Sequence, residues 1–388
     1  MSSPSCHWQW PHLALVLHLA LIPAALAQVC YQGTYNAEIT RQEDLDAIAQ
    51  TCTTLTGRLN IRSNYTGSFV LPNVTDIQGG VDQYPGLPLY NTEITSMEFP
   101  DLVRADYIEL NTLLNLSRLG LPKLESVDVL RLEYFTGLER VNVPELRNAS
   151  RIEVMGNYSG ISFEKLESVS NKLTICNTVD CQEVTNREAS MEISLPALKS
   201  VKTLEVVGNV SSLSLPELET VGYQGDDYIN SKSDLKLALL GDAVVVDFPK
   251  LTGVGGDITV KGNITSLSLP SLRTHSKQFS VYTDEALNVS LPVEGLNKIK
   301  LEGKIQSAQF PNLVDFKETR IESDLNFDCG AFIDALKETA TNVTVERDVN
   351  VFCIGGSAPD GTDGAAGFSS SAGIVAVVAA MAGLALYL

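Results

Sequence analysis

Leu121-Pro122-Lys123-Leu124-Glu125-Ser126-Val127 is one copy of a phrase that returns about every twenty-two residues: a hydrophobic residue, Pro, any residue, Leu, then Val shortly after. Other copies begin at Leu71-Pro72, Phe99-Pro100, Val143-Pro144, Leu195-Pro196, Leu215-Pro216, Phe248-Pro249, Leu269-Pro270, Leu291-Pro292 and Phe310-Pro311. Phe163-Glu164-Lys165-Leu166 keeps the same place with Glu in the Pro slot. A fixed period in this range means stacked supersecondary units, each burying its apolar side on its neighbours. The phrase therefore decides for a solenoid over a pocketed globule, and for surface display and binding over catalysis.

Around the phrase, each unit holds two short pieces of alternating apolar and polar residues. Leu204-x-Val206, Ile258-x-Val260 and Ile299-x-Leu301 form one piece; Leu213-x-Leu215 and Leu267-x-Leu269 form the other, just before the proline. Alternation at period two predicts strands with one buried face. Gly156-Asn157, Gly208-Asn209 and Gly262-Asn263 lie between the pieces, and such pairs favour a corner with positive φ. The proline ends the second piece because it has no N–H for a ladder. The Leu and Val that follow are expected to point into the core. The predicted fold is mainly β, a leucine-rich-repeat-like right-handed β-helix. Eleven coils at ~4.8 Å give a length on the order of 50 Å. Longer intervals, Pro72 to Pro100, Lys165 to Pro196 and Pro216 to Pro249, predict excursions, and the second marks a boundary between two lobes, 28–170 and 171–354.

An open parallel ladder invites aggregation, so the ends of the stack need covers. Thr40-Arg41-Gln42-Glu43 has the form of a capping box, and Leu45, Ile48 and Ala49 give the next segment an apolar face. Phe332, Ile333, Leu336 and Ala340 do the same for a second helix. Cys30 and Cys52 bracket the first helix and Cys329 and Cys353 the second, so disulfide-pinned helical caps are expected. Cys176 and Cys181 close a small loop within the second long interval. With Cys6 placed in a leader, these six form three local couples, as an even count in an oxidising compartment implies. Zinc binding fits poorly, since the Cys-x-x-Cys spacing is missing.

Both termini read as processing signals. Leu13 to Leu26 is an apolar run ending in Ala25-Leu26-Ala27, the small-x-small form of a signal-peptidase site, so residues 1–27 are expected to be a signal peptide. The run is shorter than the ~20 residues of a membrane span. At the other end, 355–388 combines a small, polar linker with the apolar tail Ile374 to Leu388, and no basic residue follows it. That is the pattern of a glycosylphosphatidylinositol (GPI) attachment signal, with Asp363 and Gly364 the candidate attachment residues.

Sequons begin at Asn64, Asn73, Asn115, Asn148, Asn157, Asn209, Asn263, Asn288 and Asn342, the expected N-glycosylation sites. Asn115, Asn157, Asn209 and Asn263 each stand seven residues before the proline slot of their coil, and Asn64 stands eight before Pro72. Equal spacing from the phrase predicts one row along an edge of the stack. The competing account is that Asn suits the corner and the hydroxyl follows for other reasons.

Chemistry is sparse. The formal charge of −19 argues against nucleic acid or an anionic membrane surface. Nucleophilic triads need a histidine, and outside the leader the chain has only His275, in a slot where the repeat usually has Val. Asp226-Asp227 and Asp284-Glu285 are the obvious carboxylate pairs, better read as solvated loop residues than as a glycosidase couple. Gly253-Val254-Gly255-Gly256 precedes a strand, where a phosphate loop would need a helix N-terminus. No catalytic residue, metal site or cofactor is predicted.

The leader, the cysteine-bounded first helix, Thr56-Gly57-Arg58-Leu59-Asn60-Ile61 opening the first coil, the Leu-Pro-x-Leu phrases and the tail together resemble the fungal GPI-anchored cell-wall organisation proteins. This is the Sps/extracellular-mutant family, with receptor-L-domain-like folds. The resemblance covers nearly the whole chain. It implies a non-enzymatic glycoprotein on the outer leaflet of the plasma membrane, or in the wall through its GPI remnant, needed for wall integrity. Cell-wall glucan or mannoprotein would be the partner. The alternative is a lectin-like or protein-binding surface receptor using the glycan-free face, and a more distant one is a polysaccharide-active enzyme.

Overall fold

A computed structural model describes residues 29–31, 37–83, 93–177, 181, 190–222, 235–273, 276–340, 350–356 and 365–369. The leader, the apolar tail, Asp363, Gly364, His275, Asp226, Asp227 and Asn342 lie outside these residues. Within them the chain is a β-solenoid of about eleven turns, with 21 strands in one sheet and a separate sheet of three. The long strand of each coil pairs in parallel with its counterparts before and after: Arg104–Asn111 with Ser126–Glu133, then Asn148–Met155, then Ser168–Cys176, then Ser200–Ser214. At the expected junction of the lobes, Ser168–Cys176 is paired on both of its edges. Each of the three long intervals includes residues outside the described ones: 84–92, 178–180 with 182–189, and 223–234.

The proline phrase is a turn. In nine coils the N–H of the second Leu donates to the carbonyl of the first hydrophobic residue, from Leu102 to Phe99 through Leu313 to Phe310, at 3.2–3.4 Å. Pro sits at the second turn position, where its fixed φ suits types I and II. Glu164 keeps the turn because a type I turn accepts most residues there. In these nine coils both anchor side chains of the phrase are buried, as are Val127, Val169, Val201, Val221 and Val254 after it. The residue after the second Leu carries the stacking. Its N–H donates to its counterpart one coil back: Glu125 to Val103, Arg147 to Glu125, Glu167 to Arg147, Lys199 to Glu167, Glu219 to Lys199, Thr252 to Glu219 and Arg273 to Thr252, at 2.8–3.0 Å. Backbone groups that a lone coil would leave unpaired are thereby satisfied by the next.

The corners take positive φ as the Gly-Asn pairs predict: +150° at Gly156, +134° at Gly208 and +112° at Gly262. Space demands glycine as well. A Cβ on Gly208 would lie 1.8 Å from Oδ1 of Asn177, and one on Gly262 would lie 1.7 Å from the carbonyl oxygen of Leu239. The bend is gentle enough that Ser200–Ser214 and Ile258–Ser268 run through it as single strands.

Helices cover both ends. α1, Gln42–Thr51, buries Leu45, Ile48 and Ala49; α2, Cys329–Ala340, buries Phe332, Ile333 and Leu336. Disulfides join Cys30–Cys52, Cys176–Cys181 and Cys329–Cys353, with Cα separations of 5.5, 5.5 and 5.8 Å. The capping box is one residue later than the sequence reading has it. The helix begins at Gln42 with an extended Arg41 as N-cap, so Asp44, not Glu43, occupies the third helical position. Its Oδ2 accepts from the N–H of Thr40 at 2.8 Å, the hydroxyl of Thr40 at 2.9 Å and the N–H of Arg41 at 3.2 Å. Those bonds, the Thr40 N–H foremost, hold the Asp44 carboxyl below its ordinary value. Beyond α2, Asn350–Ile354 adds a last parallel rung, and Ala365–Ser369 pairs with it in the antiparallel sense.

Two buried tyrosines give the stack a pH limit. Tyr65 donates to the Ser68 carbonyl at 2.9 Å and to Gln42 Oε1 at 3.0 Å; burial, with the charges of Asp46, Glu43 and Asp44, pushes it up to about 12. Tyr158 donates to the Leu132 carbonyl at 3.3 Å, and burial raises it too, aided by Glu133. A raised folded value favours the neutral phenol, so this stability is intact below the ordinary tyrosine value near ~10 and is lost as pH rises through the folded one. The denaturant midpoint is expected to fall from about pH 10 upward. In an absorbance titration, two of the twelve tyrosines should ionise only as the chain unfolds.

Candidate functional site

Each coil offers a long-strand face, the Gly-Asn corner and a short-strand face just before the proline turn. On the long-strand face, successive rungs place Glu109, Arg131 and Glu153 opposite one another. Arg131 lies 3.3 Å from Glu109, 2.7 Å from Glu153 and 3.5 Å from Glu133. Farther along, Glu205 takes Lys172 at 2.9 Å and Lys236 at 2.7 Å. Burial works against ionisation of Glu205, but hydrogen bonds from Lys236 and Lys172 outweigh it, and the carboxyl is held below its usual range. At Glu133 burial prevails over Arg131, with Glu153 and Glu109 adding repulsion, and the carboxyl is raised. Pairs this exposed contribute up to about 1 kcal/mol each. Their chemical consequence is larger than their energy: Glu109, Glu133 and Glu153 share Arg131, and Glu205 holds two lysines, along a ladder.

Asp284 and Glu285 sit at a corner, where the Thr283 hydroxyl donates to the Glu285 carbonyl at 2.9 Å and accepts from its N–H at 3.1 Å. That is local turn chemistry. Gly253–Val254 is a short strand paired with Thr220–Val221, and Gly255 donates to the Val221 carbonyl at 2.8 Å. Among the described residues no group of three His, Cys, Asp or Glu side chains could hold a metal ion.

Four of the registered sequons occupy the same position around the coil, and each of their three residues has a structural role. Asn makes the corner. The middle residue, Leu116, Tyr158, Val210 or Ile264, is buried in the core. The hydroxyl donates to a carbonyl of the preceding coil: Ser117 to Thr95 at 3.1 Å, Ser159 to Glu139 at 3.1 Å, Ser211 to Met191 at 3.3 Å and Thr265 to Val244 at 3.4 Å. Replacing Ser159 with Ala should cost about 0.5–1.5 kcal/mol even in protein made without glycans, read from a urea midpoint. Asn64, Asn115 and Asn157 are exposed, as are Asn73, Asn148 and Asn288; Asn209 and Asn263 are half-buried. Asn263 donates through Nδ2 to the Gly241 carbonyl at 2.6 Å.

Sequence reading missed two features. The ion pairs between coils join residues 20–52 positions apart, and only the register shows which meet. Asn177 was hidden behind Cys176. Its buried side chain accepts from the N–H of Asn209 at 2.9 Å and donates to the Asn209 carbonyl at 2.9 Å, bridging two coils. An Asn at the position of the corner glycines was the available signal.

The short-strand face differs along its length. In the first coils it carries ion pairs, Arg118 with Glu98 at 2.6 Å and Arg140 with Glu192 at 3.0 Å. In the later coils its ladder pairs Asp247 with Ser268, Ser268 with Ser290 and Ser290 with Gln309.

These features define a class: a β-solenoid with disulfide-tied helical caps and ion-paired carboxylates on its broad face. Along the sequence the chain is similar to Protein ecm33 of Aspergillus fumigatus, with 25% identity over 385 residues, covering 92% of this chain and 89% of that protein. That similarity runs along nearly the whole length of both proteins. No protein-family model matches it, and no solved structure matches it significantly.

Proposed function

We propose that the protein is a non-enzymatic, GPI-anchored glycoprotein of the fungal cell surface that maintains the organisation of the wall. The observation that carries this reading is similarity to ecm33 along nearly the whole chain. The ion-paired carboxylates favour a structural part over a hydrolytic one. Anchoring rests on the tail from Gly355 to Leu388 and on the leader; no helix among the described residues is long and apolar enough to cross a membrane.

In this reading the sequon corner carries glycans at Asn64, Asn115 and Asn157, where the side chains are exposed, and less at Asn209 and Asn263, whose side chains are packed between coils. Peptide mapping after glycosidase treatment should find the first three occupied more fully than the last two. The function is tested by deleting the gene and scoring growth on wall-binding dyes. Hypersensitivity restored by the wild-type gene is expected, and growth like wild type would sink the proposal. Release of the protein from membranes by a phosphatidylinositol-specific phospholipase tests the anchor separately.

A further inference from the structure

The later half of the short-strand face is the broad surface that the ion-pair ladders do not explain. There the strands alternate strictly: Val246, Leu267 and Val289 point into the core, while Val245, Asp247, Ser266, Ser268 and Ser290 point outward. The register sets these outward residues in rows, Val245 opposite Ser266, Ser268 opposite Ser290 and Asn288 opposite Ser307. Rungs are about 4.8 Å apart in such a ladder. Apart from Asp247 the patch is uncharged, on a chain whose formal charge is −19. Ser266, Ser268 and Ser290 make no side-chain hydrogen bond among the described residues. Val245, with 56% of its surface exposed, is the most exposed large hydrophobic residue in the described protein.

We propose that this face docks an uncharged, extended polysaccharide, with the Ser266, Ser268 and Ser290 hydroxyls exchanging hydrogen bonds with sugar hydroxyls and Val245 covering the apolar side of one ring, while Ser307 and Asn288 bond to each other at 2.6 Å beside them. The proposal rests on the wall-surface reading only for where such a polymer would be met. Charge selects the partner class. Anionic polymers are disfavoured by the net charge of the chain, and cations are better served by the acidic parts of the molecule. A protein partner would need an apolar, well-packed centre, and one valine does not supply it. A neutral chain of hydroxyls needs neither. Each contact is weak, and no aromatic platform strengthens it. Affinity must come from several rungs acting on one chain, which favours long or particulate polymers over short oligosaccharides.

The test uses the anchored protein released from membranes by phospholipase, or the secreted chain, co-sedimented with particulate β-1,3-glucan and with cellulose; polygalacturonate and chitosan serve as charged controls. The informative variant combines Ser268→Arg with Ser290→Glu. Next to Asp247 it would rebuild, on this face, the acidic-basic-acidic ladder that Glu109, Arg131 and Glu153 already form on the other. It should therefore fold with an unchanged melting temperature. Binding to a neutral polymer should drop at least tenfold in the double variant and stay unchanged in Lys261→Glu, an exposed position on the long-strand face. Equal binding by the double variant, or no binding of wild type to either neutral polymer, would overturn the proposal. So would a fully glycosylated Asn288, because a glycan there would stand in the middle of the patch. The dye assay on the deletion strain scores the wall reading independently of all three outcomes.

Discussion

Asn177→Leu is expected to destabilise the protein by about 1–3 kcal/mol, because it removes the two hydrogen bonds that tie the N–H and the carbonyl of Asn209 to the neighbouring coil, at about 0.5–1.5 kcal/mol each. The substitution keeps the volume, so lost packing contributes little. A urea titration reads the effect, and a shift below 1 kcal/mol would mean that water replaces the bridge. The neighbouring glycine supplies a control. Gly208→Ala faces both a φ of +134° and a collision with Asn177 Oδ1 at 1.8 Å. In an Asn177→Ala background the collision disappears and only the backbone cost remains. The two single variants and the double variant should therefore be strongly non-additive.

Phe99→Ala should cost about 3–5 kcal/mol. Phe99 is fully buried, with its ring centroid 5.3 Å from that of Phe69, which lies 5.7 Å from Tyr65. These rings fill the early coils beneath α1, and the stack cannot close over the hole without breaking its register. Phe99→Leu should be far milder, under about 1.5 kcal/mol, since volume is largely kept. The repeat itself makes that comparison, because Leu71, Leu121 and Leu195 occupy the same slot in other coils and are equally buried. Thermal unfolding of the two variants side by side checks the difference.

How far the sequence reaches follows from the distance over which each feature is decided. The proline turn is settled within four residues, Phe99 to Leu102, and is legible at once. The cap helices need one face each, Leu45 with Ile48 and Ala49, and were legible too, although the N-cap slipped by one residue because the competing carboxylates Glu43 and Asp44 are neighbours. Which cation meets which carboxylate is decided between coils. Arg131 and Glu153 are 22 residues apart, but Lys236 and Glu205 are 31 apart, since an excursion intervenes. A fixed ruler finds the first pair and misses the second. The sequons teach the opposite lesson. Their register was legible, but the corner, the core residue and the coil-to-coil hydroxyl explain it without any glycan, so spacing alone is no evidence of modification. The neutral patch was invisible for a simpler reason. Serines are unremarkable in a linear reading and become a surface only when the coils are stacked.

The spine of N–H bonds from Glu125 to Arg273 points along the stack, so tension on the chain meets it one rung at a time, as a zipper is opened from its end. Such a geometry is weak unless its end is tied. A pull entering from the C-terminal side reaches Cys353 in the last parallel rung and crosses the disulfide to Cys329, 24 residues earlier, leaving α2 and Asn350 to Phe352 off the loaded path. The cap is thus mechanically bypassed: the bond that pins it also shunts the load around it into the strand Asp315–Ser323.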